Sequence, residues 1–345
     1  MRSFRLKLVS VIVFVVLVST AMLFLISYQR TRSSMSVQAE ENYRVIVDKY
    51  TQELEAWVNT NATIVDSLAA ELTINQKYND SYDAFRAWLN ENYGRLNKGG
   101  FIYDIYFTYP NNRMTCASGF YADGTVDYVH DREWFTEAAR TGEMYYSTAY
   151  RDSDTGKPIV TISKGIYRNN TLQGVLAADI FVDVLEDIIR GADIAPDSYA
   201  FLVDRNLGMI VHPDENYTFE DTPHSVLEIA DAPYGEVVSR IRSGSDGMVY
   251  LKDYDGVERG FTVSRMSNTG WYVGIAISES ELSRDFGVLV RGFLIAGLVA
   301  ILIGCGIAVL LAHVLDKMST QQQEYEVKVQ ELRSQVVAST PVFSE

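Results

Sequence analysis

Two long apolar runs bracket everything else in this 345-residue chain, and they limit its architecture more than any other feature. From Leu8 to Ile26 the sequence reads LVSVIVFVVLVSTAMLFLI, and a second run from Phe286 to Leu315 is broken only by Arg291 and His313. Each is near or above the roughly 20 residues that a helix needs to cross a bilayer. A signal peptide is the alternative for the first run, because Arg2, Arg5 and Lys7 precede it. That run exceeds an apolar region of roughly 7–15 residues, however, and no A-x-A cleavage pattern follows. The reading is therefore an uncleaved anchor at 8–27 and a return span at 286–312. The long stretch between them, 28–283, is expected outside the cytoplasm, with 1–7 and 313–345 inside, in a bacterial inner or plasma membrane.

Charge and cysteine content narrow the function. A net charge of −15 argues against nucleic acid, which is met by a basic face. The two cysteines, Cys116 and Cys305, fall in the soluble stretch and in an apolar run, so no disulfide is expected and Cys116 reads as a small buried hydrophobe. No HExxH, GxSxG or Walker A string occurs, and TISK at Thr161–Lys164 has Thr where an S-x-x-K nucleophile needs Ser. No metal-ligand spacing is present either, so neither a cofactor nor a catalytic site is expected. His212, before Pro213, reads as a turn residue.

Between the spans, residues 34–75 carry apolar positions at helical spacing with no Gly or Pro, which predicts one long helix. From Phe101 the pattern changes to short β-rich runs, FIYDIYFTY, MTCASGFY, TGKPIVTISKGIY and LQGVLAADIFV, separated by turn formers. REWFTEAAR and VDVLEDIIRG read as helices. A second group of strands, SYAFLVDRNLGMIVHP, GMVYLKDYDGVERGFTVSRM and GWYVGIAI, follows, with few convergent polar groups. The fold class is α+β, with a membrane-distal module at 80–191 and a membrane-proximal one at 195–280.

In this order and spacing, DREWF, TGKPIVTISKGIY, GVLAADI and GWYVGIAI resemble the double Cache sensor regions of bacterial receptors. The resemblance covers about residues 30–315 and implies two tandem PAS-like modules after a long helix, flanked by two transmembrane helices. It also implies a homodimer through the 34–75 helix. The few convergent polar groups of the second strand group, and the run of GWYVGIAISESEL directly toward the membrane, predict a second module that transmits without a ligand of its own.

The residues themselves suggest a ligand. Arg132 offers a planar fork to a carboxylate, and the Trp134 indole is a pure donor. Asp152 and Asp179 offer acceptors to an ammonium, and Tyr150 adds a hydroxyl or a ring. Asp131 reads as the N-cap of REWFTEAAR, placing Arg132 in its first turn, where a cation opposes the helix dipole. The alternative is a surface pairing of Arg132 with Asp127, Asp131 or Glu133, and Trp134 by itself reads as core. Asp179 interrupts an apolar strand, so a buried carboxylate there needs a partner.

The resemblance sharpens this. The amino-acid-binding subset of double Cache domains carries R-x-W-[YF], Y-x-D and a later Asp, similar to Arg132–Phe135, Tyr150–Asp152 and Asp179 here. It implies that Arg132 and Trp134 hold a ligand carboxylate while Tyr150, Asp152 and Asp179 hold the amino group. A family Tyr sits five residues before the Arg, whereas Tyr128 is four before Arg132, so Tyr128 stays outside the expected site.

The expected function is thus a membrane receptor for a free amino acid or a related amine. An extracytoplasmic enzyme and a structural or adhesion scaffold are the rival classes. After the second run only a helix-prone stretch ending in a Ser/Thr/Pro-rich tail remains. Output is therefore expected through a cytoplasmic signalling module or partner. The sequence does not choose between a chemotaxis receptor, a histidine kinase and a cyclic-dinucleotide enzyme.

Overall fold

The computed structural model describes residues 2–120, 124–191, 194–217, 225–226, 234–244 and 247–339. His224 and the 340–345 end of the tail lie outside them. The chain divides into two units, one made of 1–37 with 283–345 and the other of 38–282.

Helix α1 runs from Arg2 to Asn75 without a break, joining what the sequence reading separated into a span and a helix beginning at 34. No Gly or Pro lies between those residues to interrupt the hydrogen-bond ladder. In the first unit, Val13–Thr31 of α1 and Gly287–Gln335 of α7 (Glu279–Ser339) are long and apolar enough to cross a membrane. Close packing joins the two helices there: a Cβ on Gly304 would lie 2.8 Å from Val16 Cγ1, so a larger residue would force the Val16 side chain to shift.

The second unit opens with α1 and α2 (Tyr82–Leu96), whose N-cap Ser81 accepts from the Ala84 N–H. Then come β1 (Ile102–Thr108), β2 (Met114–Cys116), α3 (Tyr128–Asp131) and α4 (Glu133–Thr141). Strands β3 (Met144–Tyr146), β4 (Tyr150–Arg151), β5 (Pro158–Arg168) and β6 (Thr171–Phe181) complete an antiparallel sheet in the order β2-β1-β6-β5-β3, with β4 beside β5. Strand alternation sorts its faces. Ile105, Phe107, Ile162, Leu176, Ala178 and Ile180 pack toward α1 and α2, while Tyr106, Cys116, Val175 and Ala177 pack toward α3 and α4.

Helix α5 (Val182–Arg190) leads to β7 (Tyr199–Val203), β8 (Met209–Val211), α6 (Gly235–Ser243), β9 (Val249–Lys252), β10 (Glu258–Arg265) and β11 (Tyr272–Ser278). These strands form a second antiparallel sheet, β8-β7-β11-β10-β9, with α6 on one face. Its other face belongs to the same apolar cluster that lines α1 and the first sheet, through Leu202, Ile210, Val273, Ile275 and Ile277. At the seam, Arg205 donates to the Tyr146 carbonyl and lies over the Tyr145 ring, and Glu55 of α1 accepts from the Ser267 and Asn268 N–H groups.

His212 lies at the turn after β8, its Nδ1 accepting from the Asp214 N–H at 3.1 Å, and it is buried among the Tyr199, Tyr217 and Tyr254 rings at centroid distances of 5.0–5.2 Å. One expectation for this second sheet is corrected: its polar groups converge more than the sequence suggested. Buried Arg259 reaches Asp253 at 2.6 Å and grips both oxygens of Asp255 at 2.7 Å, while the Tyr199 and Tyr234 hydroxyls donate to Asp253. The Asp253–Gly256 turn brings these partners back over β10, a proximity that spacing alone does not reveal.

Candidate functional site

Helix α4 sits directly on the first sheet. A Cβ on Gly165 of β5 would lie 2.5 Å from the Ala138 carbonyl oxygen, so glycine is what allows this approach. Ser163 reinforces the docking by donating to the Trp134 carbonyl at 2.8 Å. The N-terminus of α4 is thereby held above the sheet face that carries Tyr106, Thr161 and Asp179.

Between helix and sheet lies one cavity. Strand β1 lines it with Tyr103, Asp104 and Tyr106, and the β2 segment with Met114, Cys116 and Phe120. Tyr128, Arg132 and Trp134 close it from the helical side, and Tyr150, Asp152, Ser153 and Asp154 from the β4 turn, with Asp179 beneath. All five residues singled out in the sequence therefore line one cavity, although they come from three separate segments.

Arg132 differs in detail from its expected setting. It is itself the N-cap of α4, at φ −107° and ψ 118°, with no side-chain capping bond. Asp131 instead ends α3, which is capped by Asp127. None of the surface pairings considered for Arg132 forms among the described residues. Asp127 pairs with His130 at 2.8 Å, and Glu133 accepts from Thr148 and Tyr145. The Arg132 guanidinium lies over the Tyr150 ring at 4.9 Å, and its buried Nε has no hydrogen-bond partner. Tyr150 thus turns a ring face to the protein's own cation.

Trp134 is buried, with its ring edge-on to Tyr106 at 5.3 Å, so it belongs to both core and cavity wall.

Asp179 is also buried, and its Oδ1 accepts from the Thr161 hydroxyl at 2.7 Å and the Tyr106 hydroxyl at 2.8 Å. Tyr150 and Thr161 share a further hydroxyl contact of 2.6 Å. Burial pushes the Asp179 carboxyl up to about 8; the two hydroxyls work against this, and the nearby Asp152 and Asp104 charges add to it. Burial likewise holds the Tyr106 and Tyr150 phenols far above their ordinary range. Asp152 is half-buried, and its Oδ2 accepts from the Thr155 N–H and hydroxyl, both at 2.7 Å, within a tight turn.

Sequence reasoning missed several lining residues. Tyr128, set aside for its one-residue offset, is in the wall, with its hydroxyl 3.1 Å from Ser153 Oγ. Tyr128 opens the helical turn α3, which ends at Asp131 just before Arg132. Asp104 faces Asp179 across β1 and β6 and is anchored by the Ile105 N–H, the Ser118 N–H and the Ser118 hydroxyl. A signal existed: the DIYF register places Asp104 on the face of Tyr106. Cys116 is a buried wall residue, and burial pushes its thiol far above its usual range.

Comparison with known proteins adds the wider frame. A model of the Cache domain matches residues 31–286. Methyl-accepting chemotaxis protein PscA of Pseudomonas syringae pv. tomato is 20% identical over 81% of this chain and 42% of its own length. McpC of Bacillus subtilis, another methyl-accepting chemotaxis protein, is 22% identical over 92% of this chain and 46% of its own. The chain thus spans less than half the length of these relatives. Among solved structures, the ligand-binding domain of the Pseudomonas fluorescens chemoreceptor CtaA in complex with L-isoleucine superposes with a TM-score of 0.59 at 19% identity, covering 73% of this chain and 97% of that one.

Proposed function

The chain belongs to the Cache domain family, and from that premise we propose that it is a two-pass membrane receptor whose distal cavity binds a free amino acid. Residues 8–27 and 286–312 are the spans in this reading, and 28–283 is the extracytoplasmic sensor. Its modules are 80–191 and 195–280, and it pairs as a homodimer through the 34–75 helix. The signal passes through the second span to a cytoplasmic signalling module. Support for such an output comes from the methyl-accepting chemotaxis relatives.

One observation carries the ligand reading: a guanidinium with an unpartnered buried Nε and a buried carboxylate line the same cavity. Arg132 and Trp134 hold the ligand carboxylate, while Tyr150, Asp152 and Asp179 take the ammonium. The Arg132 fork suits a planar carboxylate, and Asp179 has a second oxygen to which nothing among the described residues donates. The complexes of CtaA with L-serine and L-isoleucine make amino acids the first ligands to try.

Calorimetric titration of the detergent-solubilised full chain with the twenty amino acids tests this. Arg132→Ala should weaken the best ligand by about a hundredfold or more, since losing one partner of a buried pair costs about 3–5 kcal/mol. The amidated ligand should bind weakly to the parent and lose little further on that substitution. Binding of sugars or dicarboxylates alone would reject the amino-acid reading. Equal losses for acid and amide would show that Arg132 does not read the carboxylate.

A further inference from the structure

The charge around the distal cavity is unbalanced. Asp104, Asp152, Asp154 and Asp179 line it, and Arg132 is the one basic residue among the described lining side chains. None of the four carboxylates forms a salt bridge with a described lysine or arginine: Arg151, next to Asp152 in sequence, donates to the Gly156 carbonyl, and Lys157 is directed to Asp183. Two of them, Asp104 and Asp179, stand directly opposite each other on β1 and β6, both 5% exposed. Two ionised carboxylates facing across a strand pair repel, so Asp179 keeps its proton until a cation lies beside it.

A neutral amino acid does not reduce this imbalance, because its ammonium is matched by its own carboxylate. A ligand with one more ammonium or guanidinium reduces it. On the reading that this cavity holds an amino acid, we propose that the ligand is dibasic, with Asp104 and Asp154 selecting its side-chain cation.

The geometry assigns different parts to these two residues. Asp104 is fixed in place by three donors from Ile105 and Ser118, at 2.5–2.9 Å, so it presents a preorganised charge. Asp154 is exposed and accepts from the Tyr103 hydroxyl at 2.7 Å, placing a second carboxylate beside an aromatic ring of the same wall. A ring and two carboxylates form a cation-binding surface, and the aromatic face adds attraction that a neutral side chain does not receive. Burial raises the Asp104 carboxyl above its ordinary range, and the Ser118 and Ile105 donors work against this.

L-lysine and L-norleucine form the test pair, since they share chain length and differ in the terminal ammonium. Titrated into the solubilised full chain, lysine should bind at least about tenfold more tightly, a difference that should shrink as salt is raised. Asp154→Asn and Asp104→Asn should each weaken lysine by a larger factor than norleucine. Asp154 is exposed, so its variant is expected to fold even if the Ser118 anchor makes Asp104→Asn unstable. Norleucine binding as tightly as lysine, or variants that weaken both ligands equally, would overturn the dibasic assignment and leave the amino-acid site standing. If no free amino acid binds, the reading of the site itself fails.

Discussion

Asp179 has two fates that pH separates. Its folded pKa of about 8 lies above the unfolded carboxylate value of about 3.9, so between them the folded chain keeps a proton that the unfolded chain releases. Stability from this group is therefore complete below the unfolded value and falls as pH rises toward 8, by at most about 1.4 kcal/mol per pH unit. Asp179→Asn keeps the oxygen that accepts from Thr161 and Tyr106 but removes the titration. Its unliganded melting temperature should exceed the parent's at pH 8 by roughly 5 °C or more. The ligand's ammonium prefers the ionised form, so binding below pH 8 must expel the proton. Affinity of the parent should then rise by up to about tenfold per pH unit toward pH 8 and level off above it. A flat affinity profile between pH 6 and 8 would mean that Asp179 does not meet the ammonium.

At the scale of elements, the site depends on how closely α4 lies on β5. Gly165 permits that contact, and the obstacle to a larger residue is backbone, the Ala138 carbonyl, which yields less readily than a side-chain tip. Gly165→Ala should lift α4 and carry Arg132 and Trp134 with it. A cost of about 1–3 kcal/mol in stability is expected. Ligand affinity should fall in addition, by an amount that conditions restoring the parent's stability do not recover. Calorimetry and thermal melts on the same samples check this; an unchanged affinity would show that α4 positions nothing in the site.

For the molecule as a whole, the decisive feature is that both sheets of the 38–282 unit share one apolar cluster along α1. Leu54, fully buried in that cluster, lies on α1 beside Glu55, which bonds the second sheet's Ser267–Asn268 turn. Leu54→Ala should cost about 2–5 kcal/mol. Because the core is shared, both modules should lose structure together, in a single transition seen by hydrogen exchange at β6 and at β11. Early exchange confined to one sheet would show that the modules unfold independently.

The sequence by itself determined what depends on near neighbours along the chain. The apolar runs, the helix over 34–75, the strand-rich groups and the helices beginning near Arg132 and Val182 follow from periodicity, length and the placement of Gly and Pro. Such patterns need only local geometry to be read. The motif residues Arg132, Trp134, Tyr150, Asp152 and Asp179 could also be picked out, because each is an odd residue in its local setting or matches a family spacing. Which strands become neighbours was a tertiary decision. Pairing β1 with β6 sets Asp104 opposite Asp179 across more than seventy positions of sequence, and no local signal encodes that choice. The same holds for Tyr128, which α3 carries to the wall, for the rings around His212 and for the Arg259–Asp253–Asp255 network. Side-chain alternation tells which face a residue takes, but only packing of distant segments decides what that face meets, and here that meeting produced the cavity and its excess of carboxylates.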